Sequence, residues 1–374
     1  MKTYNLVACF TLVLILVACE KSSDEVSEEN KTSIEANYTV FVKNDDLINV
    51  VIVESVEEQM TVKNMVDSFG DIPSSSKKFK TSKDISFYFT SNCEANLKWL
   101  NLENMTTKSI TVFSDLDPCS IEVTATAHID SSAFIAYERE LLGKDKQFLV
   151  RINSLTEPSE NFSEIILDKK PLELVVSTNR LFVLTLNEYV SNEYHLSVID
   201  LNDNTILSEL DLGYDASRLF KNNSGQILVS YPKLHTTIDP ISLDETYTTY
   251  GENTEPGFIT TEDFYSDTVG RFYFQKKVPT AIINEVPAVY DFESNSTVVY
   301  LFENFLTETE LTVKYNIEAN TAISYDEANN YILIGYKKKG QSNEGGILRI
   351  TPAPDFKFID NINLTGVPQT IFAN

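Results

Sequence analysis

The stretch that decides the fold is residues 171–212, PLELVVSTNRLFVLTLNEYVSNEYHLSVIDLNDNTILSELDL. Its four segments are rich in Val, Leu, Ile and Phe, and turn-forming Asn, Asp, Ser and Thr separate them, which is the pattern of β-strands joined by tight turns. Four consecutive strands with short connections make one blade of a β-propeller. The stretch therefore predicts a repeating four-stranded sheet.

The end of the third strand in this unit, an apolar residue followed by a polar one, recurs along the chain. The polar members of the seven pairs are Glu54, Asn101, Asn153, Asp200, Asp239, Asp291 and Thr351. Their mean spacing is about 49.5 residues, close to the roughly 40–50 residues of known propeller repeats. Asp and Asn accept hydrogen bonds from backbone amides two residues on, which favours the turn that must follow. Seven pairs predict seven blades.

The two ends of the chain complete this count. Residues 38–43, 47–54 and 60–66 form only three strands, and residues 367–374 remain as one strand at the C-terminus. We therefore predict an all-β, seven-bladed β-propeller over residues 38–374, closed by a blade of three N-terminal strands and one C-terminal strand. Such closure removes exposed sheet edges. The alternative is a β-sandwich or β-helix with irregular spacing.

Residues 171–230 are similar to the bacterial YVTN and quinoprotein-amine-dehydrogenase-like propellers. The matching segments are RLFVLT, LSVIDLNDNTILSELDLG and GQILVSYP. The resemblance implies the propeller fold. It implies no particular activity, because one fold hosts many functions.

Composition limits the functional classes. The chain has 374 residues, of which 42% are hydrophobic and 11% aromatic, and this excludes a fully disordered or collagen-like protein. It carries 30 basic and 55 acidic residues, for a net charge of −25. A chain this acidic repels phosphate backbones, so we expect no nucleic-acid partner.

The N-terminus predicts export. Residues 1–18 have a lysine at the start and then a short apolar run, which is typical of a signal peptide and too short to cross a bilayer comfortably. The tetrapeptide Leu16-Val17-Ala18-Cys19 resembles a bacterial lipobox. That resemblance implies cleavage before Cys19, acylation of this cysteine and attachment to a membrane. A plain secretory signal is the alternative.

Residues 19–37 are acidic and lack aromatic side chains, so we expect a disordered tether. Acidic residues directly after the acylated cysteine resemble the surface-export signal of Bacteroidota lipoproteins. The resemblance implies a lipid-anchored protein of the outer membrane at the cell surface. An acidic spacer that faces the periplasm is the alternative.

Two cysteines of the exported domain, Cys93 and Cys119, fall in connections on the same face of the predicted propeller. An oxidising compartment permits a disulfide between them. A disulfide would stabilise the fold by roughly 3 kcal/mol on the chain-entropy account. Two inert thiols and a redox pair are the alternatives.

The loops between second and third strands are rich in basic residues, which are Lys43, Arg139, Lys144, Lys146, Lys276, Lys277 and Lys337 to Lys339. A positive rim on an acidic body would steer an anionic ligand or an acidic partner. As ligand-binding residues we predict Arg139, Lys144, Tyr194, Lys277 and Lys338. Ordinary solvated loops are the alternative.

We predict no catalytic residue, metal or cofactor. The sequence contains no nucleophile elbow, phosphate-binding loop, dinucleotide fingerprint or HExxH motif. His128, His195 and His235 fall in three different blades, so we expect packed or surface histidines. Gly345-Gly346 is expected to be a turn.

The most consistent function is a ligand-capture or protein-partner binding module. The resemblance to surface propeller lipoproteins implies an accessory to a TonB-dependent transporter, holding a nutrient such as a cobalamin-like cofactor or a glycan. One alternative is a metal-dependent, lactonase-like propeller hydrolase. The other is a structural adhesin or assembly factor.

The lipid anchor can be tested directly. In a Gram-negative host fed an alkyne-labelled fatty acid, the full-length chain should incorporate the label, and the variant Cys19→Ala should not, because it lacks the acylated thiol. Cys93→Ala is the matched control and should stay labelled. Equal labelling of the wild type and Cys19→Ala would contradict the anchor.

Overall fold

The structure is a computed structural model that describes residues 34–374 except 57–58, 67–69, 130, 142–144, 157–160, 253, 259–262 and 374. The predicted signal peptide, Cys19 and most of the predicted tether lie outside the described residues. The described strands form seven antiparallel sheets, so the prediction of a seven-bladed propeller is confirmed. None of the described helices is long and apolar enough to cross a membrane.

The first four blades follow the chain, apart from one strand of blade 1. Blade 1 contains β1 (Ala36–Asn44), β2 (Leu47–Val56), β3 (Gln59–Val66), the short β4 (Ile72–Pro73) and the C-terminal strand described below. Blade 2 contains β5 (Lys77–Lys80), β6 (Asp84–Ser91), β7 (Glu94–Asn101) and β8 (Thr107–Val112). Blade 3 contains β9 (Ile121–Ile129), β10 (Ser132–Glu140), β11 (Lys146–Ser154) and β12 (Phe162–Leu167). Blade 4 contains β13 (Lys170–Ser177), β14 (Arg180–Leu186), β15 (Tyr194–Asp200) and β16 (Thr205–Gly213).

The remaining strands complete the ring. Blade 5 contains β17 (Arg218–Lys221), β18 (Ile227–Ser230), β19 (Leu234–Ile238) and β20 (Glu245–Thr249). Blade 6 contains β21 (Phe264–Ser266), β22 (Phe272–Lys277), β23 (Glu285–Asp291) and β24 (Ser296–Val299). Blade 7 contains β25 (Ile317–Asp326), β26 (Tyr331–Lys338), β27 (Glu344–Ile350) and β28 (Phe358–Thr365). The last strand, β29 (Val367–Ala373), pairs with β1 and becomes the innermost strand of blade 1, as predicted.

Burial follows the order of strands within each blade. In blade 4 the second strand, β14, is buried from Leu181 to Thr185, whereas the outermost strand, β16, has no buried residue. Strands covered on both faces read as continuous apolar runs, and a strand with one wet face alternates. The core consists of seven apolar clusters, each of which joins two neighbouring blades.

The repeating polar residue lies within two residues of the end of the third strand of its blade, and four of the seven make the expected turn. Asn101, Asp200, Asp239 and Asp291 each accept a hydrogen bond from the amide two residues on, at 2.8 to 3.1 Å. Asn153 departs from this role. Its side chain is buried, and neither its oxygen nor its nitrogen has a hydrogen-bond partner among the residues that the structure describes. In that blade Ser154 accepts from the amide of Thr156 instead.

Glycines allow blades 7 and 1 to approach closely. Gly366 has φ +115°, a conformation that disfavours side chains, and it turns the chain from β28 into β29. Gly345 and Gly346 lie inside β27, so the expectation of a turn there was wrong. A Cβ atom on Gly345 would lie 2.8 Å from Cδ of Pro368, which explains why blade 7 has no side chain at this position.

A buried arginine joins the same two blades. Arg349 is fully buried and binds both carboxylate oxygens of Asp360, at 2.7 and 2.8 Å. Its other guanidinium nitrogen donates to the hydroxyls of Tyr38 and Ser55 in blade 1. The hydroxyl of Tyr38 in turn donates to Asp326 of blade 7, at 2.7 Å.

Removing this arginine should destabilise the ring. Arg349→Met leaves Asp360 without its counter-ion, and breaking a buried pair costs about 3–5 kcal/mol. The control is Lys63→Met, which removes an exposed pair with Glu54 worth less than about 1 kcal/mol. Urea unfolding followed by circular dichroism measures both. Similar losses in the two variants would show that Arg349 does not hold the blades together.

Candidate ligand-binding face

One face of the propeller carries the connections that could form a binding site. In every blade the loop between the second and third strands and the connection to the next blade emerge on the same side, because neighbouring strands are antiparallel. We call this side the upper face and the opposite side the lower face. The chain enters at the lower face, where the backbone of Ile34 exchanges two hydrogen bonds with the side chain of Asn329, at 2.6 and 2.9 Å.

The structure brings the two cysteines together on the upper face. Cys93 lies in the turn between β6 and β7, and Cys119 lies in the connection from β8 to β9. Their Sγ atoms are bonded at 2.03 Å, with the Cα atoms 5.1 Å apart. Asp117 lies beside them and accepts a hydrogen bond from the amide of Cys119. These three residues are the one metal-like cluster in the described part of the chain, and its two sulfurs are already bonded to each other.

The four predicted ligand-binding residues that the structure describes share this face but lie on different blades. Arg139 donates to Gln147 within blade 3, and Lys338 pairs with Glu344 at 3.4 Å within blade 7. Tyr194 is half-buried and packs into the core between blades 4 and 5, while Lys277 ends β22. Lys144 lies outside the described residues. No described contact joins any two of these residues.

Local partners neutralise much of the expected basic rim. Lys146 pairs with the buried carboxylate of Glu138, and Lys337 pairs with Glu318. Lys276 donates to backbone carbonyls rather than facing solvent alone. The face is therefore a set of paired charges, and its positive regions are local.

A charged cluster lies where the innermost strands surround the axis. Asp263, just before β21 of blade 6, pairs with Lys78 at 3.4 Å and with Lys80, both on β5 of blade 2. It also accepts a hydrogen bond from Thr370 on β29, at 3.1 Å. Blades 6 and 2 are not neighbours, so these contacts cross the axial channel. Lys78 further donates to Thr370 and to the carbonyl of Gln369, at 3.0 and 3.2 Å.

The cluster shifts the pKa values of Asp263 and Lys80 by opposing effects of burial and of neighbouring charges. Burial opposes ionisation of Asp263, but the neighbouring ammonium groups of Lys78 and Lys80 outweigh it and hold the pKa of the carboxyl below its usual range. Burial lowers the pKa of Lys80, and Asp263 only partly offsets that effect. The side chain of Lys78 is 28% exposed, against 14% for Lys80 and 9% for Asp263. Lys78 is therefore the member that a ligand can reach.

Two clefts on the upper face flank β29. The larger, about 530 Å³, lies between blades 7 and 1 and is lined by Lys43, Asp45, Asp46, Thr321, Lys337, Ser342, Asn343, Val367 and Gln369. The smaller, about 260 Å³, lies between blades 1 and 2 and is lined by Phe41, Ile48, Ser74, Ser76, Lys78, Phe87, Gln369 and Thr370. Gln369 lines both clefts, and Lys78 connects the smaller one to the axial cluster.

Sequence reasoning missed this region, although a signal was present. Lys78 and Lys80 alternate in KKFK, the first strand of its blade, where a packed channel would favour apolar residues. Asp263 carried no such signal, because its contact partners are more than 100 residues away in sequence. Thr321 was also missed: the residue lines the larger cleft, and its hydroxyl is buried without a hydrogen-bond partner in the described part of the chain.

The histidines are separate from both clefts. Nδ1 of His128 lies 2.8 Å from the hydroxyl of Ser86, and His235 packs among aromatic rings, including that of Tyr250. Burial lowers the pKa of each of these two histidines to about 4. No described contact joins two histidines; His128 lies between blades 2 and 3, and His235 lies between blades 5 and 6.

These histidines make the fold sensitive to mild acid. His128 and His235 stay neutral in the folded chain down to about pH 4, whereas an unfolded histidine binds a proton near pH 6.5. Stability present above pH 6.5 is thus lost as pH falls from 6.5 to 4. We expect the urea midpoint to drop across this window, and to drop less in His128→Gln/His235→Gln. An equal drop in both proteins would assign the sensitivity to other groups.

Comparison with known proteins finds distant structural similarities. The sequence matches no protein-family model and no curated protein. A puromycin-hydrolysing peptidase from Mycobacterium tuberculosis is 9% identical, with a TM-score of 0.49 over 88% of this chain and 53% of its own. A functionally unknown protein from Desulfotomaculum acetoxidans (10%, TM-score 0.49) is covered over 98% of its length and aligns with 90% of this chain. AztD from Citrobacter koseri (11%, TM-score 0.48) is also covered over 98% and aligns with 91% of this chain. The chain spans about half the length of the peptidases it resembles.

Proposed function

We propose that this protein is an exported, lipid-anchored β-propeller that captures a small polar ligand at its upper face. The observation that carries the proposal is the pair of clefts that flank β29 and share Gln369 as a lining residue. Sites for small molecules are concave and combine a rigid wall with a few polar groups. Here β29 lies between the two clefts, and hydrogen bonds between Asp45 and Asn343 join the loops of the larger one, so the site is formed before the ligand arrives.

The lining of the larger cleft favours a ligand with many hydrogen-bonding groups. Lys43 and Lys337 supply donors, and Asp45 and Asp46 supply acceptors, while Lys337 also pairs with Glu318 beside the cleft. Val367 is its one apolar lining residue. A polyhydroxylated solute can exchange hydrogen bonds of both kinds with such a surface, whereas an apolar ligand would strip water from it without compensation.

Export agrees with the described structure. A disulfide such as Cys93–Cys119 persists in oxidising compartments outside the cytosol. The propeller joins the expected tether at the lower face, near Ile34. A ligand that approaches the upper face therefore meets the clefts and not the entry point of the chain.

Docking to a protein partner, such as an outer-membrane transporter, is a second candidate function. Large apolar side chains are exposed on loops and connections of the upper face, and they are Leu141, Tyr189, Val190, Tyr214, Ile282 and Val313. Others, such as Ile241 and Val269, are exposed on the lower face, so the candidate docking surface is the upper-face group, since contiguous apolar surface is a feature of protein-binding sites. Capture and docking are compatible, because a transporter accessory needs both.

The axial cluster argues against the lactonase-like alternative at this position. Such an enzyme would hold a divalent cation with carboxylates and amides around the axis. Here the ammonium groups of Lys78 and Lys80 surround the carboxylate of Asp263. Two positive charges beside one negative charge repel a divalent cation.

Ligand capture can be tested with the full-length protein in detergent and a panel of sugars, sugar acids and cofactors in isothermal titration. A solute that binds should lose at least about tenfold in affinity in Gln369→Leu, because this residue lines both clefts. Gln59→Leu, on the exposed strand β3, is the control and should bind normally. A panel in which nothing binds, or binding that is insensitive to Gln369→Leu, would contradict capture at these clefts.

A further inference from the structure

We propose that the two clefts together bind a sugar acid, with the carboxylate of the ligand beside Lys78 and its hydroxyl groups in the larger cleft. The inference rests on the proposed capture function and names the class of its ligand. It assigns the charged end of the ligand to the smaller cleft and the neutral part to the larger one.

The charges of the axial cluster indicate that the ligand has a negative group. Lys78, Lys80 and Asp263 together contribute two positive charges and one negative charge. Among the described residues, Asp263 is the one carboxylate that forms an ion pair with Lys78 or Lys80. A buried charge without a counter-ion is costly. The cluster therefore has a net charge of +1, which one additional negative group would neutralise.

The exposure of the lysine side chains indicates where the negative group of the ligand binds. Lys78 is the most exposed member of the cluster and lines the smaller cleft, together with the hydroxyl-bearing Ser74, Ser76 and Thr370. Phe41 and Phe87 line the same cleft with apolar surface. One carboxylate fits there, since a cleft of about 260 Å³ is smaller than the roughly 300–1,000 Å³ of a complete small-molecule site.

The remainder of the ligand extends past Gln369. The adjoining cleft of about 530 Å³ is lined by lysine, carboxylate, amide and hydroxyl-bearing side chains, among them Lys43, Asp46 and Ser342. Lys43, on its wall, has no ion-pair partner in the part of the chain that the structure describes. Hydroxyl groups both donate and accept, so they match this mixture of ammonium, carboxylate, amide and hydroxyl groups. A polyhydroxylated carboxylate satisfies both clefts at once.

The test compares acidic and neutral sugars of equal length. Full-length protein in detergent is titrated at pH 7 with trigalacturonic acid and with galactotriose, and with the monosaccharides galacturonic acid and galactose. We expect the acidic trisaccharide to bind at least tenfold more tightly than the neutral one. We also expect this preference to shrink as the salt concentration rises from 50 to 500 mM, because salt screens the partly exposed Lys78.

Variants of Lys78 test whether this side chain binds the carboxylate of the ligand. Lys78→Met should lower the affinity for trigalacturonic acid at least tenfold and abolish the preference, while Lys78→Arg should retain most of both. Lys357→Met makes the same charge change in an exposed connection of the lower face and should bind like the wild type. If Lys78→Met does not fold, the wild type alone tests the proposal, through the salt dependence of its binding and the ratio of its affinities for the acidic and neutral trisaccharides.

The outcomes separate this inference from the capture function. Equal binding of acidic and neutral sugars, with Gln369→Leu still weakening both, would overturn the sugar-acid proposal and leave capture standing. A preference for the acid that Lys78→Met does not change would overturn the assignment of the carboxylate site. No binding of any sugar would overturn the sugar-acid proposal, whatever else the protein captures.

Discussion

The structure depends on one pairing, that of β29 with β1. This pairing joins the two ends of the propeller and converts six continuous blades and one incomplete blade into a closed ring. Without it, β1 and blade 7 would each present an unprotected edge or face to water. With it, every blade packs against two neighbours, and the seven apolar clusters form a continuous circle.

Polar groups then fix how the blades meet. Arg349 joins blades 7 and 1, and Arg151 has the corresponding position in blade 3, where it binds Asp115 and Glu164 and lies 3.8 Å from the ring centre of Phe162. Each arginine precedes the isoleucine of a repeat mark, as Arg-Ile-Asn or Arg-Ile-Thr. Buried ion pairs add little net stability over apolar packing, but they penalise every arrangement that separates the partners. We interpret both arginines as setting the alignment of neighbouring blades.

The sequence was sufficient for the number of blades and for the manner of closure, because both follow from local signals. Turn-forming residues such as Asp239 and Asp291 mark the strand ends through hydrogen bonds to amides only two residues away. The candidate site depends instead on contacts such as that between Lys80 and Asp263, which are distant in sequence. The repeat pattern of the sequence does not indicate which innermost strands face each other across the axis. Basic loop residues such as Arg139 and Lys338 were visible in the sequence, but their neutral or acidic neighbours became visible only in the fold.

Closure and the candidate site share one strand. β29 completes blade 1, and the same strand supplies Gln369 to both clefts and Thr370 to the axial cluster. A chain in which β29 has left β1 has neither cleft wall, so a ligand at this site binds only the closed ring. By linkage, such a ligand stabilises the closed state in proportion to the logarithm of its concentration above its dissociation constant. Among the described strands, the pairing of β29 with β1 is the one place in the ring where hydrogen bonds and packing, rather than the chain itself, join consecutive strands of a blade. Ligand binding would stabilise the propeller at this place.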